Sequence, residues 1–305
     1  MRSILSKAKS GTQHAGRPPA AIEITPEGVL AAALPGKGEP AVFAFEPLRP
    51  GALTPGIGEA NLHAPEAVAA AIRSALNSVS PRIRAVTVVI PDTAVRVFVL
   101  DFDSLPQRAA EAVPVLRFRL RKMVPFDVEH AGLSYQILSE SKTECRVLTA
   151  ILPSPILEEY EDVVRAAGYE PGSVMPSTLA ALAAHDSMEP VLAACLSRAA
   201  MTTSITSGHD LLLYRTLDLP ESPRERLAEV QRGIAVASAY YEDKLAMRPR
   251  VLYFSGNGEA SEFARWIGDP ELKVMDLARR PGRGLTTVMG SVSVAGITGA
   301  LAGAA

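Results

Sequence analysis

The 305 residues exceed what one hydrophobic core ordinarily serves and point to two lobes. The 31 Lys and Arg are balanced by 33 Asp and Glu, so a formal net charge of -2 excludes a global pull toward nucleic acid. At 48% hydrophobic and only 5% aromatic content, the core has to be built from Ala, Val and Leu.

Residues 1–18 are basic and polar without the apolar stretch of a secretory signal, and read as a flexible tail of a chain that stays in the cytoplasm. Three strand-like runs follow at 20–24, 29–34 and 41–45, punctuated by Pro, Gly and Glu, and the spacing predicts a meander. A Pro- and Gly-rich loop covers 47–62. Val68, Ile72 and Leu76 then recur at helical spacing behind Pro65. The run at 85–90 is almost wholly apolar, the pattern of a strand buried on both faces, and a further strand is expected over 94–100.

Val113, Leu116, Leu120 and Met123 set a dry helical stripe, with Arg117, Arg119, Arg121 and Lys122 on a cationic flank. That flank suits phosphates or lipid headgroups, or else a solvated face paired with Glu111 and Asp127. Pro114 interrupts the helix and Pro125 ends it, because the residue before proline is driven out of helical geometry. Leu133, Tyr135 and Ile137 alternate as a half-buried strand, 145–152 is another, and a helix closing at Gly168 follows. After a short helix over 177–185, the polar stretch 186–190 marks a lobe boundary. Beyond it come three strands, a long helix from Ser222 to about Met247, the strand RVLYF, a turn at SGNGE and a helix at 260–266. The terminal run 285–305 has no charged side chain but is rich in Gly, Ser, Thr and Ala, so a buried helix is expected there over a membrane anchor.

No phosphate-binding P-loop, zinc-protease helix or nucleophile elbow occurs in the chain. Cys145 and Cys195 stand apart in apolar runs and read as small buried hydrophobes rather than a disulfide or metal pair. The five histidines are scattered at element ends and read as solvated or locally hydrogen-bonded. Asp101 and Asp103 share one side of an extended segment, as metal ligands or an acid-base pair would, yet their place ahead of a helix points to capping. Ser255-Gly256-Asn257-Gly258 links an apolar strand to a helix, where backbone N–H groups can meet an anion.

Four stretches together resemble one family. LRFRLRKMVPFDVEHAGLSYQIL, beginning at Leu116, is similar to the segment of type IV pilus assembly PilM proteins in which a helix runs into a Pro-Phe corner and then a Tyr-Gln strand. VRAAGYEPGSVMPSTLAAL, EVQRGIAVASAYY with VLYFSGNG, and VAGITGALAG resemble later parts of the same family, so the likeness spans roughly residues 20 to 303. It implies a two-lobed α/β fold of the actin and FtsA superfamily, ribonuclease H-like. One lobe would cover 19–185 with an inserted subdomain at about 94–152, and a second 186–305, its last helix able to pack back on the first. It further implies a cytoplasmic protein, peripheral at the inner-membrane face of a pilus or related secretion platform. Such a protein would bind the cytoplasmic tail of a PilN-like membrane partner and other platform proteins, with no nucleic acid.

Where the family's relatives cradle phosphate, this chain departs. The first turn reads Glu23-Ile24-Thr25-Pro26-Glu27-Gly28, in which Pro26 removes a donor and Glu27 adds negative charge. The second reads Ser197-Arg198-Ala199-Ala200, with neither Asp nor Gly, and Asn257 replaces a Gly of the adenosine turn. The resemblance thus leaves a degenerate nucleotide site at Thr25, Glu27, Glu229, Arg232, Gly256, Asn257 and Gly258, with no catalytic or metal-binding residue. The expectation is a non-enzymatic scaffold without cofactor. The alternative is an actin-like protein that binds ATP and magnesium.

Overall fold

The computed structural model describes residues 17–36, 39–80, 82–185, 187–208, 210–278 and 292–302. Strands β1 (Ala20–Thr25), β2 (Gly28–Ala33) and β3 (Val42–Pro47) form the expected antiparallel meander. Helix α1 (Pro65–Val79) carries the chain over to β4 (Ala85–Ile90), which pairs parallel with β1. A 3₁₀ turn, Asp92–Ala94, leads into a smaller unit: β5 (Arg96–Phe102), α2 (Ala109–Leu120), β6 (Ala131–Glu140) and β7 (Cys145–Pro153). Helix α3 (Ser154–Ala166) returns to the first sheet, where β8 (Glu170–Pro176) completes the order β3-β2-β1-β4-β8 and α4 (Ser177–Leu182) follows directly.

The second half repeats this plan. Strands β9 (Val191–Leu196), β10 (Ala200–Ser207) and β11 (Asp210–Asp218) are antiparallel. Helix α5 (Pro223–Leu245) crosses to β12 (Val251–Gly256), α6 (Ala260–Ile267) to β13 (Lys273–Asp276), and α7 (Ala295–Ala302) comes last. The resulting order is β11-β10-β9-β12-β13, with β9–β12 and β12–β13 parallel. Two five-stranded mixed sheets and the three-stranded β5-β7-β6 make up an α/β fold in which the second half repeats the plan of the first.

Alternation assigns each face. On β1, Ala20, Ile22 and Ile24 meet α1 and α3, while Ala21 joins Leu30, Val89 and Met175 beneath α7. On β9, Leu192 and Ala194 pack under α5 and α6, whereas Val191 and Ala193 turn toward the first lobe and belong to its core. The two lobes therefore share apolar contacts along the β9 and β11 faces, and the cleft between them is narrow.

Several local expectations are corrected. The dry stripe of α2 is Ala112, Leu116 and Leu120; Met123, past the helix end, is 41% exposed. Pro114 lies within one continuous helix, which ends at Leu120, ahead of the point where Pro125 would stop it. Arg117 leaves the cationic flank, its Nη2 donating to the Ala131 carbonyl at 3.0 Å. Glu111 faces Arg108 and Asp127 takes His130, so neither neutralises Arg119 or Lys122. Asp101 caps nothing: it receives Arg146 at 3.0 Å, and the residue preceding α2 is Arg108, without a side-chain cap. The strand expected from 94 starts at Arg96, after the 3₁₀ turn. In the terminal run, 292–302 is described and holds the buried helix α7; residues 285–291 and 303–305 lie outside the described residues, as do the tail 1–16, His14 and His209. Among the described residues no helix is long and apolar enough to cross a membrane.

Candidate functional site

The ends of β1, β4, β9 and β12 converge on one cleft. A cavity of about 90 Å³ is lined there by Glu23, Thr25, Glu27, Asp92, Ser177, Cys195, Ser197, Ser255, Gly256, Asn257 and Ser293 among others. Pockets that bury a drug-sized ligand run from about 300 Å³ upward. In this conformation the cleft is well below that.

The turn of each lobe closes on itself in the same way. Thr25 Oγ1 donates to the Gly28 carbonyl at 3.0 Å and accepts the Gly28 N–H at 3.3 Å. In the equivalent turn of the second lobe, Ser197 Oγ donates to the Ala200 carbonyl at 3.1 Å and accepts the Ala200 N–H at 3.0 Å. One backbone donor of each turn, the Gly28 N–H and the Ala200 N–H, is thereby taken by a hydroxyl of the same turn. Arg226 braces the second turn from outside, donating to the Ser197 carbonyl at 2.7 Å and to that of Arg198. Across the cleft mouth, Asn257 Nδ2 donates to Glu27 Oε1 at 3.2 Å. A carboxylate at the mouth and one turn donor already taken on each side leave this arrangement poor in free N–H groups for an anion.

Two carboxylates form the floor. Glu23 is 6% exposed; Ser177 Oγ donates to its Oε1 at 2.6 Å, while Oε2 has no hydrogen-bond partner among the described residues. Burial pushes its pKa up to about 7; the Ser177 hydroxyl and the Ile297 N–H oppose that, and the charge of Asp92 adds to it. The approach of α7 requires glycine here, because a Cβ on Gly296 would stand 2.6 Å from Glu23 Oε1. Asp92 is half-buried and takes four donors: the Thr178 N–H at 3.1 Å, Thr178 Oγ1 at 2.6 Å, the Tyr214 hydroxyl at 2.9 Å and Thr202 Oγ1 at 3.4 Å. Desolvation still outweighs them and raises its pKa. Cys195 lies between these groups. Burial first, then the Asp92 charge, pushes its thiol up to about 12, against the Thr178 and Ser255 hydroxyls.

Of the residues singled out from sequence, Thr25, Glu27, Gly256 and Asn257 come together at the cleft. Glu229 and Arg232 pair with each other on α5 and do not line it. Gly258 takes a left-handed conformation (φ 100°) in the turn before α6. Gly256 has a packing reason of its own, since a Cβ there would meet the Leu196 carbonyl at 2.6 Å. Sequence reasoning missed Asp92, Ser177, Thr178 and Tyr214, and treated Cys195 as core. One signal was available: Glu23 is the single charge in an otherwise apolar strand, AAIEI. Among the described residues no group of three His, Cys, Asp or Glu could hold a metal ion.

No protein-family model and no curated protein sequence matches this chain. Solved structures do. The chain is similar to PilM in a PilM–PilN type IV pilus biogenesis complex, with a TM-score of 0.74 at 18% identity over 94% of this chain and 98% of that one. It is also similar to the cytoplasmic domain of EpsL, an inner-membrane component of the type II secretion system of Vibrio cholerae (TM-score 0.50, 12% identity, 89% and 92% covered). A Bacteroides thetaiotaomicron protein with an actin-like ATPase fold matches to the same degree (TM-score 0.50, 12% identity, 86% and 91% covered). The fold expected from the sequence is borne out by these likenesses.

Proposed function

We propose that this chain is a PilM-like scaffold of a type IV pilus or related secretion platform, without enzymatic activity, that receives the cytoplasmic tail of a PilN-like membrane protein. One observation carries the reading: the likeness to PilM, in a complex with PilN, runs nearly end to end through both chains. The likeness to the cytoplasmic domain of EpsL supports the same setting, a cytoplasmic protein held peripherally at the inner membrane by its partners. The cleft supports the absence of nucleotide chemistry. Thr25 and Ser197 each occupy one turn N–H, Glu27 sets a carboxylate at the cleft mouth, and the free volume is about 90 Å³.

The test is calorimetric titration of the chain with a synthetic peptide of the cytoplasmic tail encoded by a neighbouring single-span membrane-protein gene. Saturable binding is expected; no heat with that tail removes the proposal. A second titration, with Mg-ATP, addresses the rival reading of an actin-like ATP-binding protein, which the two carboxylates at the cleft floor favour. Silence is expected there, and micromolar binding would establish the rival.

A further inference from the structure

Helix α2 backs onto the three-stranded sheet through Ala112, Leu116 and Leu120, which pack among Leu105, Cys145, Val147, Leu100 and Ile151. Its opposite side is bare. Phe118 is 74% exposed, the highest exposure of any large hydrophobic among the described residues, and Val115 one turn earlier is 38% exposed. A single exposed ring is ordinary, but one with a second exposed apolar side chain a turn away on the same helix makes the kind of patch that marks a contact surface.

The charge around the ring decides which. Arg119 and Lys122 are exposed, three residues apart, and neither has an ion-pair partner among the described residues. The nearby acids are already committed: Glu111 to Arg108, Glu129 to Arg121 at 2.8 Å, and Asp127 to His130 at 2.6 Å. Arg117 is turned inward to the Ala131 carbonyl and takes no part. The outward face therefore presents Val115 and Phe118 flanked by two unneutralised cations, and Met123, 41% exposed, just beyond.

We infer that this face of α2 is a docking surface for an anionic lipid bilayer, lying on the headgroup layer with Phe118 inserted at the acyl boundary. An aromatic wedge between free cations matches the headgroup layer chemically, and each cation adds electrostatic attraction to anionic lipid. An acidic protein segment would meet the same charge. A protein interface, however, is depleted of Lys at its core, whereas here Lys122 stands beside the aromatic centre. The inference concerns the inserted subdomain alone and stands whether or not the tail-binding reading holds.

Cosedimentation of the full chain with vesicles of equimolar phosphatidylglycerol and phosphatidylcholine, against vesicles of phosphatidylcholine alone, tests it. Binding to the anionic vesicles is expected, and should weaken as salt is raised. The double variant Arg119→Glu/Lys122→Glu should weaken it by about thirty-fold or more, the weight of two cations near such a surface. Phe118→Ser should weaken it several-fold while keeping the salt dependence, and Arg119→Lys should bind as the parent chain does. These side chains are exposed, so unchanged thermal melts will confirm folded variants. Equal sedimentation with both vesicle types, or binding that ignores the substitutions, would overturn the inference. Retention of polyglutamate in place of vesicles, lost in the same double variant, would also overturn it and assign the face to an acidic protein partner.

Discussion

The hydroxyl of Tyr214, on β11 of the second lobe, donates at 2.9 Å to Asp92, which stands at the end of β4 in the first. Thr202 supplies a second donor from the same lobe at 3.4 Å, and both Thr178 donors come from the first. Asp92 is thus a polar pin between the lobes, set behind the Asn257–Glu27 hydrogen bond at the cleft mouth. Tyr214→Phe removes one donor from a half-buried carboxylate, at a cost of about 2 kcal/mol. Urea unfolding would read this as a lower midpoint at unchanged slope. A midpoint equal to that of the parent chain would mean that the lobes do not depend on this bond.

Glu23 gives the stability a pH dependence of definite sign. Its carboxyl titrates at about 7 in the folded chain against 4.5 as a free group, because burial penalises the anion. The native state therefore holds a proton that the unfolded state has released. Stability contributed by this group is full below pH 4.5 and is lost as pH rises through about 7. The difference amounts to about 3 kcal/mol. Asp92, raised for the same reason, slopes the same way. Glu23→Gln keeps an acceptor for Ser177 and cannot ionise. It should melt several degrees above the parent chain at about pH 8 and close to it at about pH 4.5. Parallel melting curves across that range would show that Glu23 is not the group responsible.

Much of the architecture was legible because periodicity and punctuation agreed. The meander 20–45, the almost wholly apolar β4, the helix ending at Gly168 and the strand leading into the Gly256–Gly258 turn each follow from side-chain pattern plus a turn residue. The cleft was legible only at its turns. Thr25, Glu27 and Asn257 were found because they break a family's pattern, whereas Asp92 and Tyr214 are 122 residues apart and meet only through the lobe packing. One of the errors has a plain cause. Asp101 was read as a cap for the helix that follows it in sequence, yet it is held by Arg146, 45 residues away across the β5–β7 pair. Cys195 was placed correctly on a strand, but its face depended on whether the neighbouring lobe was apolar or hydroxyl-rich, which spacing alone does not tell.

The two thiols should be inert in the folded chain. Cys145 is buried with a raised pKa, and Cys195 is pushed up to about 12. Only a thiolate attacks a disulfide reagent, and at about pH 8 a group at that pKa is ionised in roughly one molecule in ten thousand. Labelling with an aromatic disulfide should accordingly proceed no faster than unfolding, with both equivalents released together in urea. A rapid single equivalent in native buffer would reveal that the cleft opens around Cys195.

The closing helix gives the sharpest steric test. Helices α4 and α7 hold equivalent places in the two halves and pack directly on each other, so close that a Cβ on Gly299 would stand 1.8 Å from the Ala180 carbonyl oxygen and 2.9 Å from the Ala184 nitrogen. These are backbone atoms and cannot rotate aside, unlike the end of a flexible side chain. Gly299→Ala must therefore push α7 off α4, loosening the apolar layer of Ala21, Leu30, Val89 and Met175 that α7 covers through Ile297 and Leu301. The higher helix propensity of alanine, about 1 kcal/mol, would by itself stabilise the helix, so the sign of the measured change separates the two effects. A loss of about 3 kcal/mol, with faster hydrogen exchange confined to α7 and β1, is the expected outcome. A gain in stability would mean that α7 does not make the approach described.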